Sequence, residues 1–414
     1  MTRRRIQPYG DTAADRLAVQ IAQTLGAGRG MSRRTMLRGA GVSALALSST
    51  GWLTACGTSG QKQSESTCKS TDKSATDKTL AFSNWPLYID EKGKKYPTLE
   101  DFQKQTGIKV TYTTDVNDNN QFFAKVRNQL GDCQPTGRDI FVLTDWMAAR
   151  VIGLGWTQDL DASAMPNVTA NLSPSLQNPQ WDQGRKHSVP WQSGLTGIAY
   201  NAKYTGEVTS FDELLTRADL KGKISLLSEM GDTMGFMLKL IGADPGDFTD
   251  DQWQASLDKL QEVVDSGQVR QFTGNDYTRP LNKGDIVACE AWSGDVIAMQ
   301  YDNPDIKFVL PEEGTSLWSD NMMVPNKADH KANAEALMNY YYEPEVAARL
   351  AAWVNYICPV QGAEEAMAKI DESLVGNPLI FPTSEDLATT FAFKNVDTKT
   401  REEYDKAFNA IIGA

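Results

Sequence analysis

Large aromatic rings and carboxylates recur together just after the short β-branched or aromatic runs of this chain. Ser83-Asn84-Trp85-Pro86-Leu87-Tyr88 follows Leu80-Ala81-Phe82, and Thr144-Asp145-Trp146 follows Ile140 to Leu143. The run ending at Glu290 leads into Trp292-Ser293-Gly294-Asp295. Pro311-Glu312-Glu313-Gly314 precedes Trp318-Ser319-Asp320, and Tyr356 stands just before Cys358-Pro359. An aromatic face attracts a cation through its quadrupole, worth about 0.5–2 kcal/mol depending on desolvation, and a carboxylate beside it supplies the opposite charge. Together they make a slot for an extended organic cation. Any one tryptophan taken singly reads first as a packing residue of a core or a lobe interface. Repetition at four strand ends favours the slot.

Glu229 and Asp232 stand three residues apart at the start of the apolar run Met234 to Ile241, on one side of a first helical turn. Two readings stay open for them: Asp232 as a helix cap with acids favoured at a helix N-terminus, or both as ligand groups. The pair also admits a secreted glycosidase, because neighbours at this spacing have Cβ atoms about 5–6 Å apart and a retaining pair needs carboxyls about 5–5.5 Å apart. Against it, residues on one turn point the same way, whereas two catalytic carboxylates flank the bond from opposite sides. Asp115-Val116-Asn117-Asp118-Asn119-Asn120 begins like a calcium loop but has Asn120 in place of the glycine and Val126 in place of the closing glutamate. Gly26-Ala27-Gly28-Arg29-Gly30 follows no strand, so it is no phosphate cradle. No Gly-x-Ser-x-Gly elbow occurs, and His187 and His330 lie far from each other and from any cysteine cluster, which argues against zinc. No cofactor or metal is called for.

The elements that must position these residues read as strands alternating with helices. Leu80-Ala81-Phe82, Ile108 to Tyr112, Ile140 to Leu143, Ile198 to Tyr200, Ile224 to Leu227, Val287 to Trp292, Ile306 to Leu310 and Met322 to Val324 predict strands. Leu99 to Phe102 opens one helix, and Phe122, Phe123, Val126 and Leu130 mark a second. Ser210-Phe211-Asp212-Glu213 reads as a capping box, and Trp253, Leu257, Leu260 and Val264 share a face of another helix. Alternation of this kind predicts α/β lobes with mainly parallel sheets, whose ligands gather at the carboxyl ends of strands.

The N-terminal part reads as an address rather than as fold. Ser32-Arg33-Arg34-Thr35-Met36-Leu37-Arg38 looks like a twin-arginine export signal, and Gly39 to Trp52 is apolar but short for a membrane span. Leu53-Thr54-Ala55-Cys56 resembles a bacterial lipobox, with Cys56 the acylated residue. Met31 is an alternative start to Met1. Residues 1–55 are therefore set apart as a signal peptide, and the polar stretch up to residue 78 as a solvated, lipidated linker. Without residues 1–55, 33 basic side chains face 51 acidic ones, a net charge of −18. Such a surface repels nucleic acid and anionic lipid and favours cationic ligands or plain solubility. About 335 residues remain, enough for two lobes. Cys68, Cys133, Cys289 and Cys358 form an even set in an oxidising location. Three pairings are open, and the reading favours Cys289 with Cys358 and Cys68 with Cys133.

Over residues 79–365 the pattern resembles the substrate-binding proteins of spermidine/putrescine ABC importers. The likeness rests on Asn84-Trp85 with Tyr88, Thr106-Gly107-Ile108-Lys109-Val110, Asp139-Ile140 before Thr144, Pro190-Trp191 leading to Gly197-Ile198, and Trp292-Ser293-Gly294-Asp295. The order of Trp292, Trp318-Ser319-Asp320 and Tyr356 also fits. The resemblance implies a two-lobed periplasmic-binding fold of type II, with residues 79–195 and 320–364 in lobe 1 and residues 196–319 and 365–414 in lobe 2. It implies that Trp85, Tyr88, Trp146, Trp292, Trp318 and Tyr356 line the slot, that Glu229, Asp232, Asp295 and Asp320 hold ammonium groups, and that Thr144 hydrogen-bonds. Pro86 and Leu87 replace polar residues common in that loop, Trp146 replaces a tyrosine, and Gly274 a serine. The implied protein is a non-enzymatic, monomeric receptor outside the cytoplasmic membrane, lipid-anchored and partnered by an ABC permease. Rival readings are a same-fold binding protein for a sugar, ferric ion or thiamine-like cation, a secreted glycosidase, and a polyamine sensor for a signalling partner.

Overall fold

The computed structural model describes Cys68 and residues 70–413. The export signal, Cys56 and the linker up to residue 67 lie outside the described residues. In chain order the elements are β1 (Thr79–Asn84), α1 (Pro97–Thr106), β2 (Lys109–Thr114), α2 (Asn119–Gly131), β3 (Ile140–Thr144), α3 (Asp145–Gly153) and α4 (Pro166–Asn171). They continue through β4 (Ser188–Asn201), α5 (Phe211–Thr216), β5 (Ile224–Leu227), α6 (Met230–Leu240), α7 (Asp250–Asp265), β6 (Val269–Thr273), α8 (Thr278–Lys283), β7 (Ala288–Trp292) and α9 (Ser293–Gln300). The last part holds β8 (Ile306–Val309), β9 (Thr315–Met323), α10 (Lys331–Tyr341), α11 (Pro344–Val354), α12 (Ala363–Ile370), β10 (Thr390–Phe391) and α13 (Thr398–Ile412). Among the described residues no helix is long and apolar enough to cross a membrane.

The strands lie in the order β2-β1-β3-β9-β4-β7-β5-β6, with β10 beside β9 and β8 beside β4. Pairing is parallel in the outer groups, β1 with β2 and β3, and β5 with β6 and β7. In the middle it is antiparallel, β4 against β9, β7 and β8, and β3 against β9. The expected parallel lobes are thus joined by two strands running opposite ways, because one carries the chain out of the first half and the other brings it back.

Those two strands, 14 and 9 residues long, are longer than the runs Ile198–Tyr200 and Met322–Val324 indicated. Pro190, Gly194 and Gly197 break the β pattern of β4, and each has a local reason. The register slips between Pro190 and Gln192, a bulge that accommodates the missing N–H. A Cβ at Gly194 would sit 2.3 Å from the Trp318 ring, and one at Gly197 would sit 2.5 Å from the Val309 carbonyl oxygen. Close approach, not turn geometry, demands these glycines.

Helix starts follow the chemistry of their first turns. Thr249 and Gln252 form a full capping box at α7. At α5 the Ser210 hydroxyl accepts from Glu213 N, but the Glu213 carboxylate reaches back one residue farther than expected, to Thr209 N at 2.9 Å.

Two apolar clusters form the core. One gathers β1, α1, α2, β3, α3, α10, α11 and α12 around Phe82, Phe141 and Trp191, and takes in Trp292 and Met299 from the second half. The other gathers β5, α6, α7 and α13 around Phe211, Phe236 and Phe408. Met367, Leu374 and Ile380 pack in the first cluster and Phe391 in the second. Residues after 365, expected in the second lobe, thus still pack in the first cluster as far as Ile380, and the chain reaches the second cluster at Phe391.

Two further expectations are corrected. Residues 70–78, read as solvated linker, are docked on the first half. The Ser70 hydroxyl donates to the Ala328 carbonyl, Asp72 Oδ2 accepts from Ala332 N at 3.2 Å, and Asn333 Nδ2 donates to the Asp77 carbonyl at 2.9 Å. Their polar composition misled because they dock by capping the start of α10, not by burying apolar surface. Cys68 and Cys133 are joined by a disulfide, whereas Cys289 and Cys358 are free. Cys289 lies inside the sheet on β7, opposite Ala199 and Ser225, and Cys358 sits after α11 with its N–H on the Ile380 carbonyl. Burial pushes both thiols above their ordinary range; Cys289 is a small, inert core residue, and Cys358 is half-buried against the first cluster.

Candidate functional site

A cavity of about 470 Å³ opens where the strand ends of the two halves face one another. The junctions β1 and β3 bring Trp85, Tyr88, Thr144 and Trp146 to its wall, and the start of α6 brings Glu229 and Asp232. Trp292 and Asp295 come from the β7–α9 junction, Trp318 and Asp320 from β9, and Tyr356 from the segment after α11. All eleven residues singled out for a ligand slot therefore meet around one space.

The aromatic rings are fixed from behind. Trp85 Nε1 donates to the Val142 carbonyl at 3.1 Å, and Trp318 Nε1 donates to Thr196 Oγ1 at 2.9 Å. Tyr88, Tyr356, Trp318 and Trp292 form a continuous run, with ring centroids 5.2, 5.6 and 6.4 Å apart. Two glycines act as seats: Gly194 beneath Trp318, and Gly294, where a Cβ would stand 2.4 Å from the Tyr356 ring.

The acids fall into two kinds. Asp232 is not the cap of α6; Glu229 holds that position, without a side-chain cap bond. Asp232 Oδ1 accepts from Thr196 Oγ1 at 2.8 Å and Ser316 Oγ at 3.1 Å, and Oδ2 from Trp292 Nε1 at 3.1 Å. Asp295 is equally engaged: Oδ2 accepts from Asn275 Nδ2 and Tyr277 OH, both at 2.9 Å, and Oδ1 from Tyr356 OH at 3.2 Å. Glu229 Oε1 accepts only from Asn119, through its N–H at 3.3 Å and Nδ2 at 3.2 Å. Asp320 Oδ1 accepts from Thr144 Oγ1 at 2.7 Å.

Burial raises the proton affinity of all four. It holds Glu229 well above the usual carboxylate range, with the charges of Asp118 and Asp232 adding to it. It pushes Asp320 up to about 7 against the opposing Thr144 bond. Asp232 and Asp295 are raised by burial as well, their hydrogen bonds working the other way. Lys394 is the one basic residue on the wall, and its ammonium is turned onto the Phe248 carbonyl and ring face. Among the described residues the wall is thus acidic and aromatic with no other cation on it, while behind it Arg401 faces the charge of Glu229 and Arg185 that of Asp145.

Several wall residues escape sequence reasoning. Trp181 and Gln180 lie in an irregular loop after no strand, and Phe393 to Asn395 belong to the late return of the chain. Asp145 stands beside Trp146 and holds Ser319 N at 3.0 Å and Asn321 Nδ2 at 2.8 Å. Asn275 follows the unexpected Gly274, and its Oδ1 is buried without a partner. Behind the wall, Asn119 carries the one signal that was present, since it lies in the run dismissed as a broken calcium loop. That run instead caps α2 through Asp118, which accepts from Gln121 N, and aims Asn119 Nδ2 at both Thr144 Oγ1 (2.9 Å) and Glu229.

The chain is similar to known proteins over most of its length. Spermidine/putrescine-binding periplasmic protein 1 of Haemophilus influenzae is 26% identical over 336 residues, covering 81% of this chain and 88% of its own. A putrescine-binding periplasmic protein of Escherichia coli is 29% identical over 357 residues, covering 81% and 92%. A solved ABC transporter structure from Listeria monocytogenes superimposes with a TM-score of 0.71 at 26% identity, over 81% of this chain and 99% of that one. The fold is the α/β, two-lobed type II periplasmic-binding fold. The hydrolytic reading of Glu229 and Asp232 falls away, since the relatives bind solutes rather than transform them and both Asp232 oxygens are tied to wall residues. Residues 98–375 match the bacterial extracellular solute-binding proteins, and the chain belongs to that family.

Proposed function

We propose that the protein captures a linear polyamine of the putrescine or spermidine class and delivers it to an ABC permease, as a monomer held at the outer face of the cytoplasmic membrane by lipid on Cys56. The observation that carries this reading is the charge of the cavity wall. Five carboxylates and at least six aromatic rings enclose the space, while its one ammonium is engaged elsewhere. Arg185 and Arg401 lie behind Asp145 and Glu229, but Asp232, Asp295 and Asp320 have no basic partner among the described residues, and buried carboxylates without a counter-charge are costly, so a flexible chain of methylenes with charged ends satisfies the acids and covers the rings together. The names of the relatives point to the same ligand class.

Within the slot, Asp232 and Asp295 hold the walls, and Glu229 and Asp320, with fewer donors, take the ammonium groups. Residues 79–195 and 320 to about 380 make one lobe, residues 196–319 and about 390–413 the other, with β4 and β9 as the hinge. Closing the lobes on the ligand is favoured because the cation is satisfied only with both halves in place. A thermal-shift panel of polyamines, neutral sugars and amino acids tests the reading. Stabilisation by putrescine or spermidine is expected; stabilisation by a neutral sugar with none by a polyamine overturns it. Native mass spectrometry of the purified protein is expected to show a retained polyamine.

A further inference from the structure

The last helix, α13, touches both halves of the molecule. Tyr404 stacks on Trp253 of α7 with ring centroids 3.9 Å apart, and Phe408 is fully buried in the second cluster. Its other side faces α3, whose Met147, Ala148 and Val151 pack in the first cluster. Across that gap Arg150 Nη2 meets Glu402 Oε1 at 2.9 Å, and Arg150 Nη1 lies 3.8 Å from Asp405 Oδ2. In the opposite direction Arg401 lays its guanidinium over Trp146, 3.6 Å from the ring centroid, and its Nε donates to Asp405 Oδ1 at 3.1 Å. Asp405 is therefore shared by two arginines, one from each half.

Arg401 is only 4% exposed, and its Nη2 has no partner. A guanidinium is costly to bury, and here a flat ring, the hydrogen-bonded carboxylate of Asp405 and the nearby charge of Glu229 hold it. Trp146 lines the cavity, whereas Arg401 is not part of the wall. The contact is thus one step behind the slot.

We infer that Arg401 is a positioning residue for the cleft: stacked on Trp146 and paired with Asp405, it fixes one aromatic wall and, with Arg150, clasps α13 to α3 across the two lobes. The inference rests on the reading of the cleft as a polyamine site only for its effect on binding. Opening the cleft separates α3 from α13 and breaks the stack and the two Arg150 contacts together, leaving the Arg401–Asp405 pair within α13, so the clasp slows ligand escape rather than speeding capture. Lysine carries the charge but not the planar fork, and does not replace it.

The test compares the full chain with R401Q, R401K and D405N, the last leaving the stacked side chain in place. Stopped-flow tryptophan fluorescence with putrescine and with spermidine is expected to show dissociation about tenfold faster in R401Q, association within twofold of wild type, and R401K closer to R401Q than to wild type. Small-angle scattering of the empty protein is expected to show a larger radius of gyration for R401Q and D405N. A lowered melting temperature with unchanged dissociation rates and unchanged radius overturns the inference and leaves Arg401 a structural residue. Should wild type bind neither amine, the reading of the cleft fails, and the scattering comparison alone decides the clasp, an unchanged radius overturning it.

Discussion

Lowering the pH from 8 to 6 is expected to weaken polyamine binding about tenfold through Asp320 alone. Its carboxyl titrates at about 7 in the empty cleft because burial disfavours the charge. An ammonium binds the ionised form, so the apparent dissociation constant scales as one plus the ratio of protonated to ionised acid. That factor is about 1.1 at pH 8 and about 11 at pH 6 for a group titrating near 7. The ligand's primary amines, with ordinary values near 10, stay charged throughout. Glu229, held well above the usual range, adds in the same direction. Calorimetric titrations at pH 6, 7 and 8, each in two buffers of different ionisation enthalpy, measure both the affinity and the protons released. At pH 7 about half a proton per ligand is expected from Asp320, with a further contribution from Glu229. Asp320→Asn should bind more weakly at pH 8 and lose the Asp320 part of the pH dependence. Affinity constant within twofold from pH 8 to 6, with no buffer dependence of the enthalpy, would refute the assignment of these acids to the ligand.

Glu229→Gln is expected to weaken binding well beyond tenfold, and calorimetric titrations unchanged from wild type would remove Glu229 from the site. Gly294→Ala should displace the Tyr356 ring, whose atoms lie 2.4 Å from the new methyl position, and weaken binding with a smaller change in melting temperature; a fall in melting temperature with affinity intact would show that the seat serves only packing. The empty protein should melt higher as pH falls from 8 towards 5. An acid whose folded value is raised binds its proton more tightly in the folded state, so its stability contribution is present at low pH and lost as pH rises through about 7. For Asp320 this is about 2.6 kcal/mol between pH 8 and 5, at roughly 1.4 kcal/mol per unit below about 7, and Asp320→Asn should remove that share of the slope. Cys56→Ser should impair uptake by cells while leaving the affinity of the purified protein intact; unimpaired uptake would discard the tether.

Much of the wall was legible because strand ends announce themselves. Trp85, Trp146, Trp292 and Asp320 each follow or close a short β-branched or aromatic run, and in an α/β fold such positions collect at one place. Asn119, Trp181 and Arg401 were not legible, for different reasons. Asn119 sits in a polar run whose composition resembles a metal loop, and only the fold shows that Asp118 caps α2 and frees Asn119 for Glu229. Trp181 follows no strand. Arg401 lies more than 250 residues from Trp146, on a C-terminal helix that follows none of the predicted strands. The length of β4 was hidden by Pro190, Gly194 and Gly197, residues that weaken a strand pattern but serve a bulge and two close contacts. The Cys289–Cys358 pairing rested on parity, and parity says nothing about whether two thiols share a neighbourhood.

The unequal hydrogen bonding of the four acids bears on how closure is coupled to the ligand. Asp232 and Asp295 each receive three donors, so their charge is already solvated by the walls, and they hold Trp292 and Tyr356 in place. Glu229 and Asp320 are less satisfied, and they are joined through the two halves: Glu229 to Asn119, Asn119 to Thr144, Thr144 to Asp320. Asn119 and Thr144 belong to the first half, Glu229 to the second, and Asp320 to the returning strand β9. On the proposed reading, an ammonium that ionises Glu229 strengthens the bonds it accepts from Asn119, because a charged acceptor is roughly twice as strong as a neutral one. Those bonds cross the cleft. The ligand's charge therefore favours the closed arrangement through Asn119 as well as by direct contact, and a neutral ligand of the same shape would fill the slot without drawing the halves together.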